Sequence, residues 1–295
     1  MENRLIRGTA LKGKVRLFGI DCKKLVEDSR LQHDLWPTSC AALGRIEAVA
    51  SMMASMLKNK DEKIVVNING GGPIGTCLVV ASGNGDVKGF VGNNEITLQY
   101  NDTHKLAVGL AVGTNGYLSV TRHTNLKDNF TGKVRLVSGE IGDDFAYYFN
   151  VSEQTPSVVS VGVLVNTDGS VDVAGGLIIQ MMPDAQEEDI VKVEEVVKTL
   201  KPISTLLKEG NTIDEILLGL FDDVVIGEAS EVRWHCDCSK DRFMAGISTL
   251  HEDEIIAMIE EDQGCEVKCE YCNKTYKFTK EELESILEFK RSCLK

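Results

Sequence analysis

Apolar positions along the chain change their spacing twice. From Met1 to about Gln180 they come in short, often β-branched runs. Lys63 to Ile68, Thr76 to Val80, Val87 to Val91 and Val159 to Val165 read as strands, and Gly83-Asn84-Gly85-Asp86 and Asn166-Thr167-Asp168-Gly169 supply turn residues. A longer run predicts a helix over Ser39 to Leu57, starting just after Pro37 with Thr38 or Ser39 placed to cap it. Met52, Met53 and Met56 lie on adjoining faces of that helix, where adaptable core packing is expected rather than a surface for other proteins. The mixture predicts an N-terminal α/β (α+β) domain, residues 1–180, with a mixed sheet and helices.

After Met182-Pro183 the spacing becomes helical and the composition charged. Ile190, Val193, Val197 and Leu200 recur every three or four residues, so Glu187 to Lys201 predicts an amphipathic helix with one apolar stripe. A second helix is expected over Thr212 to Phe221, with Thr212 and Glu215 spaced as a capping box. Helices this short need a surface for their stripes. Residues 181–232 therefore read as a helical linker, packed on the preceding domain without being stable alone. In the remaining small domain, 233–295, capping-box spacings at Thr249/Glu252 and Thr279/Glu282 predict helices near His251 to Asp262 and Lys280 to Arg291.

Composition narrows the function. The 295 residues are 43% hydrophobic and 26% charged, ordinary values for a folded chain long enough for two domains. The net charge of −13 disfavours nucleic acid as a partner, since phosphates need a basic surface. From Glu231 to Lys295 ten basic residues face fifteen acidic ones, so the C-terminal segment is no exception. No run approaches the roughly 18 apolar residues of a membrane span. Met1 to Leu17, interrupted by Arg4, Arg7, Lys12, Lys14 and Arg16, lacks the apolar core of a signal peptide. A cytoplasmic location is expected, where thiols stay reduced.

Cysteine spacing carries the chemistry. Cys236-Asp237-Cys238 and Cys269-Glu270-Tyr271-Cys272 are two tight pairs about thirty residues apart. Alternate residues of an extended segment share a face, and a Cys-x-x-Cys turn also presents both sulfurs together. Four thiolates close a tetrahedral structural site for one Zn2+ per chain. His235 or Cys265 could replace one ligand, but four close cysteines make neither necessary. Cys22, Cys40, Cys77 and Cys293 have no near partner and read as small buried hydrophobes or, for Cys293, an exposed tail thiol. A domain of this size draws only ~3–5 kcal/mol from its core, against an apparent ~10–16 kcal/mol from structural zinc. Metal loss is therefore expected to unfold it.

Other motifs give less. Gly70-Gly71-Gly72-Pro73-Ile74-Gly75 matches a dinucleotide-binding string, but a strand rather than a helix is expected after it, so a glycine turn between strands is the better account. Asp143 and Asp144 read as a turn or helix cap. The five histidines, His33, His104, His123, His235 and His251, are scattered, and no catalytic constellation is assigned, so no enzyme is expected.

The string His235 to Arg242, with Cys269 to Phe278, closely resembles the heat shock protein 33 family of redox-regulated bacterial chaperones. Trp36-Pro37-Thr38, Ala41 to Arg45, Gly71 to Gly75, Ala111 to Gly116 and Ser138 to Tyr148 extend the likeness over nearly the whole chain. The resemblance implies an ATP-independent holdase, inactive while reduced and zinc-bound, that protects unfolding client proteins under oxidative stress. It implies disulfides Cys236 with Cys238 and Cys269 with Cys272 in the oxidised form, zinc release, unfolding of the C-terminal region, and a homodimer when oxidised. The stripe of Ile190, Val193, Val197 and Leu200 becomes the candidate switch. A zinc-ribbon adaptor or nucleic-acid module would instead show salt-dependent affinity for RNA or DNA, and a thiol oxidoreductase would turn over disulfide substrates.

Overall fold

The computed structural model describes residues 3–103, 105–124 and 129–293, and the chain divides into two compact units, Met1–His235 and Cys236–Lys295. In the first, β1 (Arg4–Ala10) and β2 (Val15–Asp21) precede α1 (Lys23–His33) and α2 (Pro37–Ala54). There follow β3 (Lys63–Asn69), β4 (Cys77–Ser82), β5 (Asp86–Val91), α3 (Val108–Val112), β6 (Tyr117–His123) and β7 (Phe130–Arg135). Then come α4 (Gly142–Val151), β8 (Ser157–Val165), β9 (Val171–Met181), α5 (Glu187–Thr199), α6 (Ile203–Lys208), α7 (Ile213–Leu218), β10 (Val225–Ile226) and β11 (Arg233–Trp234). One sheet has the order β10-β1-β2-β9-β8 and the other β11-β5-β4-β3-β6-β7. Every pairing is antiparallel except β11 with β5.

Helix α2 packs against strands of both sheets. Apart from Arg45 and Glu47 its sequence is apolar or small, as a largely surrounded helix requires, and Gly44 lets it approach closely. A Cβ there would stand 2.6 Å from a Val26 methyl and 3.0 Å from one of Val163. Met52 and Met53 are buried and Met56 packs at the edge of the same core, the packing role expected of them. The helix starts differently from expectation. Pro37 is its first residue, as its fixed φ favours, and neither Thr38 nor Ser39 caps it. The Thr38 hydroxyl instead pairs with the backbone of Leu98, and Ser39 donates to the Asn93 carbonyl.

The expected glycine turn lies between β3 and β4, and Asp144 caps its own loop by accepting from the N–H groups of Val137, Ser138, Gly139 and Ile141 at 2.7–3.3 Å.

Strands β2 and β9 are buried on both faces, as is β1 at Leu5 and Ile6, so their sequences lack clean alternation. Leu5, Phe18, Ile20 and Ile178 join the α2 core. Ile6, Val15, Leu17, Leu177 and Ile179 face the other way, onto Val193, Ile203, Leu207, Ile213, Ile216 and Leu217 of α5–α7. Two glycines set the closeness of that contact: a Cβ on Gly19 would meet Ile213 at 2.8 Å, and one on Gly175 would meet Leu207 at 2.5 Å. Thr212 and Glu215 form the expected capping box, and Arg4 holds Asp214 through two hydrogen bonds of 2.7 Å.

The second unit contains α8 (Lys240–Ile247), α9 (Glu252–Glu260), the antiparallel hairpin β12 (Gly264–Lys268) and β13 (Thr275–Thr279), and α10 (Lys280–Cys293). Ile247, Ile255, Ile259, Phe278, Leu283, Ile286 and Leu287 form its core. The Thr279/Glu282 box forms as expected. The Thr249/Glu252 box does not: Thr249 donates to the Gly246 carbonyl at the end of α8, and α9 starts after His251, whose N–H is taken by Glu254. Both the hydroxyl and the N–H of Thr249 are taken by Gly246 at the end of α8.

Candidate metal centre

Cys269 and Cys272 occupy the turn between β12 and β13. The Cys269 N–H donates to the Lys274 carbonyl at 2.9 Å, and the Cys269 carbonyl accepts from the N–H groups of Cys272 and Asn273 at 3.3 and 2.8 Å. Asn273 takes φ +56°, a left-handed conformation that asparagine tolerates better than most residues. This folds the chain back so that both sulfurs point to one side. Cys236 and Cys238 arrive on an extended segment ended by Ser239, whose hydroxyl caps α8 by accepting from the Arg242 N–H at 3.2 Å. Arg242 also steadies Asp237 between the two cysteines, at 3.0 Å to its carbonyl and 2.6 Å to its carboxylate.

The four sulfurs lie within 4.8 Å of one another. Cys236 is 3.8 Å from Cys269, and Cys238 is 3.3 Å from Cys272. Four sulfurs about 2.3 Å from one ion stand about 3.8 Å apart in a tetrahedron. The spacing and the all-thiol donor set therefore fit Zn2+. Cys269 and Cys272 are buried and the other two half-buried, which leaves one side of the cluster open to small reagents.

Tyr276, on β13, is the polar neighbour that spacing alone did not single out. Its hydroxyl donates to the Cys238 carbonyl at 3.1 Å and lies 3.2 Å from the Cys238 sulfur, while its ring packs on Phe243. Burial works against ionisation of Cys238, but hydrogen bonds from Tyr276 and the neighbouring thiols outweigh it and bring its pKa down to about 7. Burial pushes Cys272 the other way, as does its role as donor to Cys238.

The remaining thiols differ in kind. Cys22, Cys40 and Cys77 are sealed in the first unit, and burial pushes Cys40 and Cys77 up to about 12. They are small hydrophobes, as their isolation in sequence indicated. Cys265 sits on β12 against the second unit's core, raised by burial and by Asp262. His235 is exposed, its N–H donating to the Val87 carbonyl. His104 and the side chain of Cys293 lie outside the described residues. Of the candidate switch residues, Val193 is buried and Val197 and Leu200 pack at the margin of the same core; Ile190 is 40% exposed, and Val196 contributes in its place.

A family model described as Hsp33 protein matches residues 3–279, a span that includes all four cysteines. The chain belongs to the Hsp33 family. It is 46% identical to the 33 kDa chaperonin of Halalkalibacterium halodurans over 290 residues, covering 98% of this chain and 99% of that one. It is also 46% identical to the 33 kDa chaperonin of Bacillus subtilis, covering 96% and 97% respectively. The crystal structure of the Thermotoga maritima 33 kDa chaperonin, a heat shock protein 33 homolog, aligns with a TM-score of 0.88 at 34% identity, over 99% of this chain and 100% of that one. Among the described residues, no helix is long and apolar enough to cross a membrane.

Proposed function

We propose that this member of the Hsp33 family is a redox-controlled chaperone that holds unfolding proteins without ATP and catalyses no reaction. The observation that carries the reading is the convergence of four thiols in a unit whose own core is small. Bound Zn2+ would supply the cross-link that this core lacks. Cys236, Cys238, Cys269 and Cys272 are its proposed ligands. The thiolate form of Cys238, favoured by Tyr276, is the proposed first nucleophile to attack a peroxide.

Two thiols and one peroxide give one disulfide and two waters, and a disulfide is a poor donor to a metal. Two such events would leave Cys236 bonded to Cys238 and Cys269 to Cys272, the pairing implied by the family. Contact distance in the reduced form does not select it, since the nearest sulfurs belong to different pairs. With the cross-link gone the C-terminal unit loosens. The linker helices then release the apolar sheet face of Ile6, Leu17, Leu177 and Ile179 to clients. The same reading places the protein in the cytoplasm, without nucleic-acid partners, and as a homodimer when oxidised.

The test is to measure zinc content, free thiols and suppression of client aggregation together, before and after peroxide at elevated temperature. One zinc per chain and no suppression are expected at first, then four thiols lost, zinc released and suppression gained. Equal suppression in both states would refute redox control.

A further inference from the structure

Strand β8 ends its sheet, and no strand pairs with its outer edge. The Met181 N–H donates to the Pro156 carbonyl, so residues 156 and 181 form a hydrogen-bonded pair. In an antiparallel ladder such pairs alternate, and the register then directs Val158, Ser160 and Gly162 inward to β9. The Cys22 N–H bond to Ala174 confirms the alternation, since even-numbered β9 residues face β2. The N–H and C=O groups of Val159, Val161 and Val163 therefore point outward, and none has a hydrogen-bond partner among the described residues.

The other three sheet ends of the first unit are protected. β10 and β11 are two residues long, and β7 carries Lys133 and Arg135. Short edges and edge charges keep other chains from pairing. β8 has nine residues and no charge or proline.

We propose that this edge receives an extended segment of an unfolding client as an added antiparallel or parallel strand. The proposal rests on the chaperone reading and names the surface and conformation of the client that reading requires. Unpaired main-chain donors and acceptors at every second residue are matched by another extended backbone and by little else. The edge lies in a cleft of about 610 Å3, walled on one side by Arg45 and Glu140 and on the other by Pro202, Ser204 and Thr205. A single strand can enter such a cleft. A second copy of β8 would bring the same walls with it and be held off. Gly142 closes the cleft beside the Val159 carbonyl, where a Cβ would stand 3.2 Å away. The second wall belongs to the linker, so its release would widen the cleft in the form proposed to be active.

Residue-resolved hydrogen exchange on the full oxidised chain, with and without a heat-unfolded client, tests this. The amides of Val159, Val161 and Val163 should exchange fast alone and slow with client, while those of Val158, Ser160 and Gly162 change little. An alternating Thr/Val peptide N-methylated at one alternate set of amides should bind about tenfold or more weaker, and one methylated at the other set about as well as the parent. Client held normally with the odd-numbered amides unchanged would overturn the edge proposal and leave the chaperone reading standing. Slowing that needs no client and grows with protein concentration would overturn it in favour of a second copy. If no client is held in any redox state, the chaperone reading fails and the edge proposal with it.

Discussion

In the first unit, 43 buried apolar residues among those described pack into one core around a helix enclosed on all sides; in the second, seven do, and four thiols stand beside them. The cysteines divide along the same line. Those of the first unit are sealed, and burial pushes Cys40 up to about 12, whereas Cys238 is half-buried and hydrogen bonds bring its pKa down to about 7. On the proposed reading, packing holds one unit whatever the redox state, and sulfur chemistry holds the other. A protein arranged in this way can lose one unit and keep the other.

The largest effect should come from breaking the sulfur cluster. Cys272→Ser removes a buried proposed ligand and with it most of the ~10–16 kcal/mol that four-ligand zinc would contribute, more than the ~3–5 kcal/mol such a core supplies. Zinc should be lost and the helical signal of α8–α10 should fall, while the first unit's melting transition stays. Calorimetry with metal analysis checks this, and a variant that keeps both zinc and fold would contradict the asymmetry.

Next comes the linker. Val193→Asp would bury a carboxylate in an apolar contact, at a cost of about 2–4 kcal/mol. It should expose residues 181–232 to protease and give partial suppression of client aggregation without oxidant. An unchanged cleavage pattern would show that α5 is not held by this contact. Ile190→Asp, at an exposed position, should do far less.

Within the stable unit, Gly44→Ala forces a Cβ to 2.6 Å from Val26 and should cost about 1–3 kcal/mol. The first unit's melting temperature should drop while zinc content is unaffected. The last effect is confined to a pH window and concerns Glu47, fully buried in α2 with the Ser29 hydroxyl 2.5 Å from one carboxyl oxygen. Burial raises it to about 8, against the partial relief given by Ser29. The folded state thus keeps a proton that the unfolded chain loses above about 4.5. Glu47's contribution to stability is fully present below that pH and declines as pH rises to about 8. Glu47→Gln should flatten that decline in denaturant titrations across the window, and an unchanged slope would mean the acid is already ionised.

Sequence made the four-thiol cluster legible because thiol spacing is itself the geometry: an x-separated pair and a turn pair point the same way in almost any fold. Tyr276 was not, since its approach to Cys238 depends on the register between β13 and a segment 38 residues earlier. Strands β3, β4, β5 and β8 stood out as apolar or alternating runs, whereas the doubly buried β2 and β9 gave no period to read. The α2 cap failed because Thr38 and Ser39 are claimed by residues 93–98, a long-range contact that overrides a local preference. Glu47 is invisible to patterning, being the one acid in a mostly apolar helix whose enclosure only the fold reveals.

The central claim, that oxidation dismantles the second unit and spares the first, is tested most directly by hydrogen exchange on the reduced, zinc-loaded and the peroxide-treated protein. Protection should vanish from Cys236 to Lys268 and Thr275 to Glu288 and weaken across α5–α7, yet persist in β3 from Ile64 to Ile68. Full protection around Cys236 to Cys272 in oxidised, zinc-free protein, or equal loss in both units, would contradict it.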